Sequence, residues 1–132
     1  MKLNKESEYG LKGLIFLASQ PWGTVMLLSE IAKAQGLPQS FLAKIFQKFV
    51  QHGLVRSYRG KQRGYGLAKP LTAISLKEIL EAVEGPDLFD RCLFWSKRCA
   101  DTNPCQLHNY WKEIKPQLIG TMERMMLKDL VS

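Results

Sequence analysis

Three cysteines and a histidine fall in one short stretch of the chain, Cys92, Cys99, Cys105 and His108. No other cysteine occurs in the 132 residues. Three is an odd number for a disulfide framework. Thiols gathered in one segment suit metal chelation, because the ligands already share a loop. Six residues separate Cys92 from Cys99 and five separate Cys99 from Cys105. Structural zinc sites use paired knuckles with about two to four intervening residues. Wider gaps suit a larger centre whose metal atoms lie apart, so the segment reads as an iron–sulfur loop. Zinc binding and a thiol redox switch are the alternatives. Arg91, Lys97 and Arg98 lie near the cysteines and would favour thiolates. The same cations would offset the charge of a thiolate-ligated centre, so they suit either reading. Three thiols leave a fourth ligand open. His108 follows Cys105 by three residues and shares a face with it if a helix has begun there.

Such a loop needs elements to position it, and the charge pattern divides the chain around it. Residues 1–70 carry eleven Lys/Arg against three Asp/Glu, a net +8. Residues 71–132 carry eight against nine, a net −1. A positive field confined to one half attracts polyanions, and DNA is the usual one. The apolar fraction of 45% is enough for a core. No run of eighteen apolar residues suggests a membrane span. The N-terminus lacks the apolar stretch of a signal peptide, which predicts a cytoplasmic protein with reduced thiols.

Helical spacing of Leu11, Leu14, Ile15 and Ala18 predicts a first helix over 5–19, broken by Pro21-Trp22-Gly23. A shorter helix over 28–34 follows, with Ser29 as its cap and Ile31 inward. Gly36 suits the positive φ of a turn, and Pro38 the first turn of the next helix. That third helix, over 39–51, puts Phe41, Leu42, Ile45, Phe46 and Phe49 on one apolar stripe. Gln39, Ser40, Ala43, Lys44, Gln47 and Lys48 form the opposite face. This is the pattern of a helix-turn-helix, whose second helix can offer amide, hydroxyl and amine groups to the major groove.

Gly53 ends the third helix, residues 54–58 have strand character, and Tyr65-Gly66-Leu67 returns as a second strand. The turn between them carries Arg59, Lys61 and Arg63. A basic hairpin directly after a helix-turn-helix is a wing, able to place those cations on phosphates or in a minor groove.

Lys69-Pro70 marks a boundary, dividing a DNA-binding domain (1–70) from a second part (71–132). The second part comprises a connecting helix, the cysteine loop and a long final helix. Ser75 and Glu78 predict a capping box at the start of the connecting helix, with Leu76, Ile79, Leu80 and Val83 buried. From Pro104 to Leu130 the pattern is helical again. Leu107, Trp111, Ile114, Leu118, Met122 and Met125 form a near-heptad seam, with Pro116 inside it. So long a helix is expected to pack on a second subunit. The fold expected is mainly α, a winged helix-turn-helix with a two-stranded wing and a long dimerisation helix. No phosphate-cradling glycine loop and no nucleophile–base arrangement gives an enzyme reading positive support.

In this order the features resemble the IscR/NsrR-type family of bacterial winged-helix transcription regulators, also called the Rrf family. The resemblance runs through Glu8-Tyr9-Gly10-Leu11, Leu28-Ser29-Glu30-Ile31-Ala32 and Gly36-Leu37-Pro38-Gln39-Ser40-Phe41-Leu42. It is most specific over Gly53-Leu54-Val55-Arg56-Ser57-Tyr58-Arg59-Gly60, and closes with Cys105-Gln106-Leu107-His108 and Leu127-Lys128-Asp129-Leu130. It implies a homodimer on a pseudo-palindromic double-stranded operator, a repressor or activator sensing redox, nitric oxide or iron–sulfur status. It also implies a [2Fe–2S] or [4Fe–4S] cluster in the three-cysteine loop. Members of the IscR kind use a histidine at the position of His108. Those of the NsrR kind use an acidic residue at the position of Glu8, supplied across the dimer. At the wing tip, often glycine-rich in this family, Lys61, Gln62 and Arg63 interrupt the pattern.

Overall fold

The computed structural model describes residues 3–91 and 107–131. Cys92, Cys99 and Cys105 lie outside the described residues. Within them the chain runs α1 (Lys5–Ala18), α2 (Leu28–Gln35), α3 (Gln39–Gln51), β1 (Val55–Tyr58), β2 (Gly64–Leu67), α4 (Leu76–Glu84), α5 (His108–Arg124) and α6 (Leu127–Leu130). The fold is the expected winged helix-turn-helix, mainly α with one two-stranded sheet among the described residues.

The helix-turn-helix follows from its glycines and apolar stripes. Gly36 ends α2 at φ 64°, and Leu37 N–H closes the turn on the Ala32 carbonyl at 2.9 Å. Gly53 does the same after α3 at φ 72°, with Leu54 N–H on the Phe49 carbonyl at 2.9 Å. Leu42, Ile45, Phe46 and Phe49 of α3 are wholly enclosed. Each such side chain contributes roughly 1.5–3 kcal/mol through apolar burial. They pack against α1, where small residues allow a close crossing. A Cβ built on Gly10 would lie 2.7 Å from Ile45 Cγ2 and 3.1 Å from Phe49 Cζ. The same core takes in Leu14, Leu17, Ile31, Leu54 and Val55, then Ile74, Ile79 and Val83 beyond the wing.

The wing is an antiparallel ladder with Val55 opposite Leu67 and Tyr58 opposite Gly64. A short 3₁₀ turn, Gly60–Gln62, forms its tip. Beyond β1, the second strand also pairs with Met26. Met26 N–H donates to the Tyr65 carbonyl at 2.9 Å, and Tyr65 N–H donates to the Met26 carbonyl at 2.7 Å. The loop ahead of α2 thus braces the wing.

Several local expectations are corrected. Ser29 lies inside α2. Leu27 precedes the helix, and the Glu30 carboxylate accepts from its N–H at 2.9 Å. Phe41 leaves the apolar stripe and is 47% exposed, tilted against Tyr9. Lys48 does not face solvent alone, since its ammonium donates to the Val83 carbonyl at 3.1 Å. Ser75 caps α4, accepting from Glu78 N–H at 3.1 Å, but the Glu78 carboxylate goes to Lys69 at 3.4 Å instead of completing a box. Leu76, Ile79, Leu80 and Val83 are buried as the spacing predicted.

The long final helix is divided. The helix α5 ends at Arg124, and Met125 turns extended at ψ 108°. There the chain pairs with the start of α4: Leu76 N–H donates to the Met125 carbonyl at 2.8 Å, and Leu127 N–H to the Ile74 carbonyl at 2.7 Å. Leu127 of α6 is then wholly buried in the same core as Leu14 and Ile79. The expected seam is split too. Trp111 and Met122 are buried against Leu76, Leu80, Leu88 and Phe89, with Leu118 and Met125 alongside. Leu107 and Ile114 instead face outward with Tyr110. Thus α5 has one face on α4 of its own chain and a second face that is apolar and exposed.

Candidate nucleic-acid interface

The exposed side of α3 and the wing tip carry the residues expected to meet a polyanion. Gln39, Ser40 and Lys44 are exposed on α3. Arg59, Lys61 and Arg63 are exposed around the wing tip. Among the described residues no carboxylate pairs with any of these four cations. Some lysines elsewhere are paired locally, as Lys12 is with Glu8 at 3.0 Å and Lys77 with Glu81 at 3.2 Å. Arg56, which the sequence reading passed over, is exposed on β1 opposite Gly66. Its signal was the same excess of cations in the hairpin. Lys61 and Arg63, with Glu30 of α2, are among the residues lining an open recess of about 480 Å³.

The metal-ligand candidates are only partly within view. His108 begins α5 and is buried, 7% exposed. Trp111 N–H caps the turn behind it, donating to the Leu107 carbonyl at 3.0 Å. Glu8, by contrast, is exposed on α1. Its two carboxylate oxygens lie 3.0 Å from Lys5 and 3.0 Å from Lys12. These hydrogen bonds, Lys5's first and Lys12's next, hold its carboxyl below the usual range. Among the described residues no three His, Cys, Asp or Glu side chains form a metal-binding group.

A second polar cluster escaped the sequence reading. The Glu84 side chain, at the last position of α4, is 0% exposed. It accepts from Asn4 N–H at 2.7 Å, Asn4 Nδ2 at 3.1 Å, Ser7 Oγ at 2.5 Å and an Arg91 guanidinium nitrogen at 2.9 Å. Arg91 also donates to the Glu84 carbonyl and to Asp87 at 3.0 Å. Its positive charge is thereby reinforced, by Asp87 foremost. Arg91 immediately precedes Cys92 in the chain. Nothing local in the sequence announces the cluster, because Glu84 and its α1 donors stand 77 and 80 residues apart.

Comparison with known proteins places this geometry. The Rrf2 family, described as iron-dependent transcriptional regulators, matches residues 3–132. The chain belongs to the Rrf2 family. A Mycobacterium tuberculosis protein named as an HTH-type transcriptional regulator is 30% identical over 130 residues, covering 98% of this chain and 81% of that protein. An Aquifex aeolicus protein named likewise is 31% identical over 94% of this chain and 87% of its own length. Among solved structures, CymR of B. subtilis, described as a global cysteine regulator, is 26% identical with a TM-score of 0.80, over 98% of this chain and 95% of that one. The oxidised form of CymR from Staphylococcus aureus is 25% identical at 0.78, over 100% and 97%. IscR of T. potens shares the fold, with a TM-score of 0.76 and 24% identity over 98% and 85%. As an Rrf2 protein, this chain is a DNA-binding transcriptional regulator. No helix among the described residues is long and apolar enough to cross a membrane.

Proposed function

We propose that this Rrf2 protein is a homodimeric regulator whose operator affinity is set by an iron–sulfur cluster, [2Fe–2S] or [4Fe–4S], held by Cys92, Cys99 and Cys105. The observation that carries the reading is the burial of His108 three residues after Cys105. An imidazole kept out of solvent, three positions after a cysteine in the sequence, suits a fourth ligand better than Glu8, whose carboxylate is exposed and engaged by two lysines. The donor chemistry fits: three thiolates and one imidazole are the soft and borderline ligands that iron–sulfur centres take. Bound there, the cluster would supply a redox-active, nitric-oxide-reactive centre whose loss or oxidation the chain can sense.

The chain's own residues then do the reading. Gln39, Ser40 and Lys44 meet base edges or phosphates in the major groove, and Arg59, Lys61 and Arg63 meet backbone or minor groove. Half-sites of a pseudo-palindrome require two recognition helices roughly 34 Å apart. The exposed face of α5, with Leu107, Tyr110 and Ile114, supports a second copy as the element that sets this spacing.

Cys99→Ala tests the reading. The variant, purified without oxygen, is expected to lose both visible absorption and metal-dependent DNA binding. Operator binding equal to wild type would remove cluster control and leave DNA binding standing. Iron and zinc analysis separates the cluster from a zinc site. A second reading, a thiol switch without metal, is supported by the likeness to CymR, one form of which is solved oxidised. It predicts a colourless protein whose DNA affinity changes with peroxide and returns with a thiol reductant.

A further inference from the structure

The buried Glu84 carboxylate occupies a costly place. It sits at the C-terminal end of α4, where the helix dipole disfavours an anion, and its side chain is 0% exposed. Such a charge is tolerated only when it is paired and hydrogen-bonded. Three of its four donor contacts come from the head of α1: Asn4 N–H, Asn4 Nδ2 and Ser7 Oγ. These are neutral. Among the described residues the one cation on the carboxylate is Arg91. The charge balance of the joint between α4 and the head of α1 thus depends on the residue that precedes Cys92 in the chain.

The joint extends to the recognition helix. One residue before Glu84, the Val83 carbonyl accepts from Lys48 of α3 at 3.1 Å, and Lys48 also meets Glu6 of α1 at 3.4 Å. Further along α1, Gly10 packs so closely on Ile45 and Phe49 of α3 that no Cβ fits between them. Interfaces packed this tightly pass a displacement on instead of absorbing it. A movement of Arg91 would leave Glu84 buried without its cation, loosen the head of α1, and so shift α3.

We propose that Arg91 is the positioning residue through which the state of the cysteine segment reaches the recognition helix, by clamping or releasing Glu84. This rests on the reading that metal or thiol state controls operator affinity. In this role Arg91 acts through the Glu84 carboxylate.

The test uses the full chain and a duplex selected from random-sequence DNA by the wild-type protein. Affinity for that duplex is measured for protein reconstituted with iron and sulfide and for metal-free, reduced protein. Allosteric couplings commonly amount to about 5–150-fold. Arg91→Gln should bring the ratio of the two affinities to within about twofold of one, with the visible spectrum unchanged. Arg91→Lys should restore part of the ratio. A purely structural role would lower thermal stability while leaving the ratio intact. An Arg91→Gln protein with the wild-type ratio overturns the proposal and leaves cluster control standing. If the wild-type ratio is itself one, cluster control falls and this proposal with it. If Arg91→Gln fails to fold, Ser7→Ala carries the test from the α1 side of the same carboxylate, and an unchanged ratio there is equally fatal.

Discussion

Gly64 lies directly against the Met26 backbone, so that a Cβ added at position 64 would sit 2.2 Å from the Met26 carbonyl oxygen. The glycine also holds φ 138°, which side-chain-bearing residues rarely adopt. Both facts arise because β2 pairs with β1 on one edge and touches Met26 on the other. Gly64→Ala is therefore expected to cost about 1–3 kcal/mol through backbone strain and to detach the wing from its brace. Helical circular dichroism should persist while affinity for a selected DNA duplex falls. Undiminished affinity would show that the wing takes no part in binding.

The exposed cations make a prediction about salt. Replacing Lys61 or Arg63 with Ala should weaken binding to all sequences alike and reduce the slope of log K against log salt by about 0.9 per lost phosphate contact. Gln39→Ala should instead relax preference at one base pair, by about 1–3 kcal/mol if the amide contacts that base bidentately. Titrations at several salt concentrations, with matched and mismatched duplexes, separate the two. A sequence-indifferent loss at Gln39 would move that residue from base reading to backbone contact.

Trp111 is buried against Leu80 and Phe89, yet among the described residues its indole Nε1 has no hydrogen-bond partner. An unsatisfied buried donor forfeits part of what its ring contributes. Trp111→Phe should thus change stability little, by about 1 kcal/mol or less once the lost donor offsets the smaller ring. Trp111→Ala should cost about 3–5 kcal/mol. Urea unfolding of both variants decides the matter. A large loss in the Phe variant would mean that the indole N–H is satisfied in solution.

Ile114 is 54% exposed and Tyr110 70% exposed on the outward face of α5. Such a strip is expected to be covered by a second copy. Ile114→Asp should turn a dimer into a monomer in sedimentation equilibrium and abolish tight binding to a two-half-site duplex. Weak binding to one half-site should remain. A variant that sediments as wild type would place the dimer contact elsewhere.

Elements governed by nearby residues were legible in the chain. The turn at Gly36, the bounds of α3, the basic hairpin and the Ser75 cap each depend on neighbours within a few positions, and each stands where the pattern put it. Features that depend on distant packing were not legible. The apolar repeat over 107–125 is continuous in sequence, but Met125 breaks the helix because its backbone pairs with the start of α4. Phe41 has the spacing of a core residue yet lies at the edge of the α1–α3 contact, beside Tyr9. Lys48 looked like a solvated base, since nothing near it foretells the Val83 carbonyl. The Glu84 cluster was hidden for the same reason. The exposed cations of α3 and the wing were legible as residue types, whereas the contacts of Glu84 depend on packing between distant parts of the chain.

The burial of Leu127 among Leu14, Ile74 and Ile79 has a consequence for the order of events during synthesis. Those three positions leave the ribosome long before Leu127 does. Until Leu127 follows, the core beneath the recognition helix lacks one wholly enclosed side chain and the strand-like pairing of Met126 with Ser75. By then the cysteine segment and α5 have already been made. A nascent chain therefore completes its DNA-reading core only after its cysteine segment exists, so a chain cut short before Leu127 lacks one wholly enclosed side chain of that core.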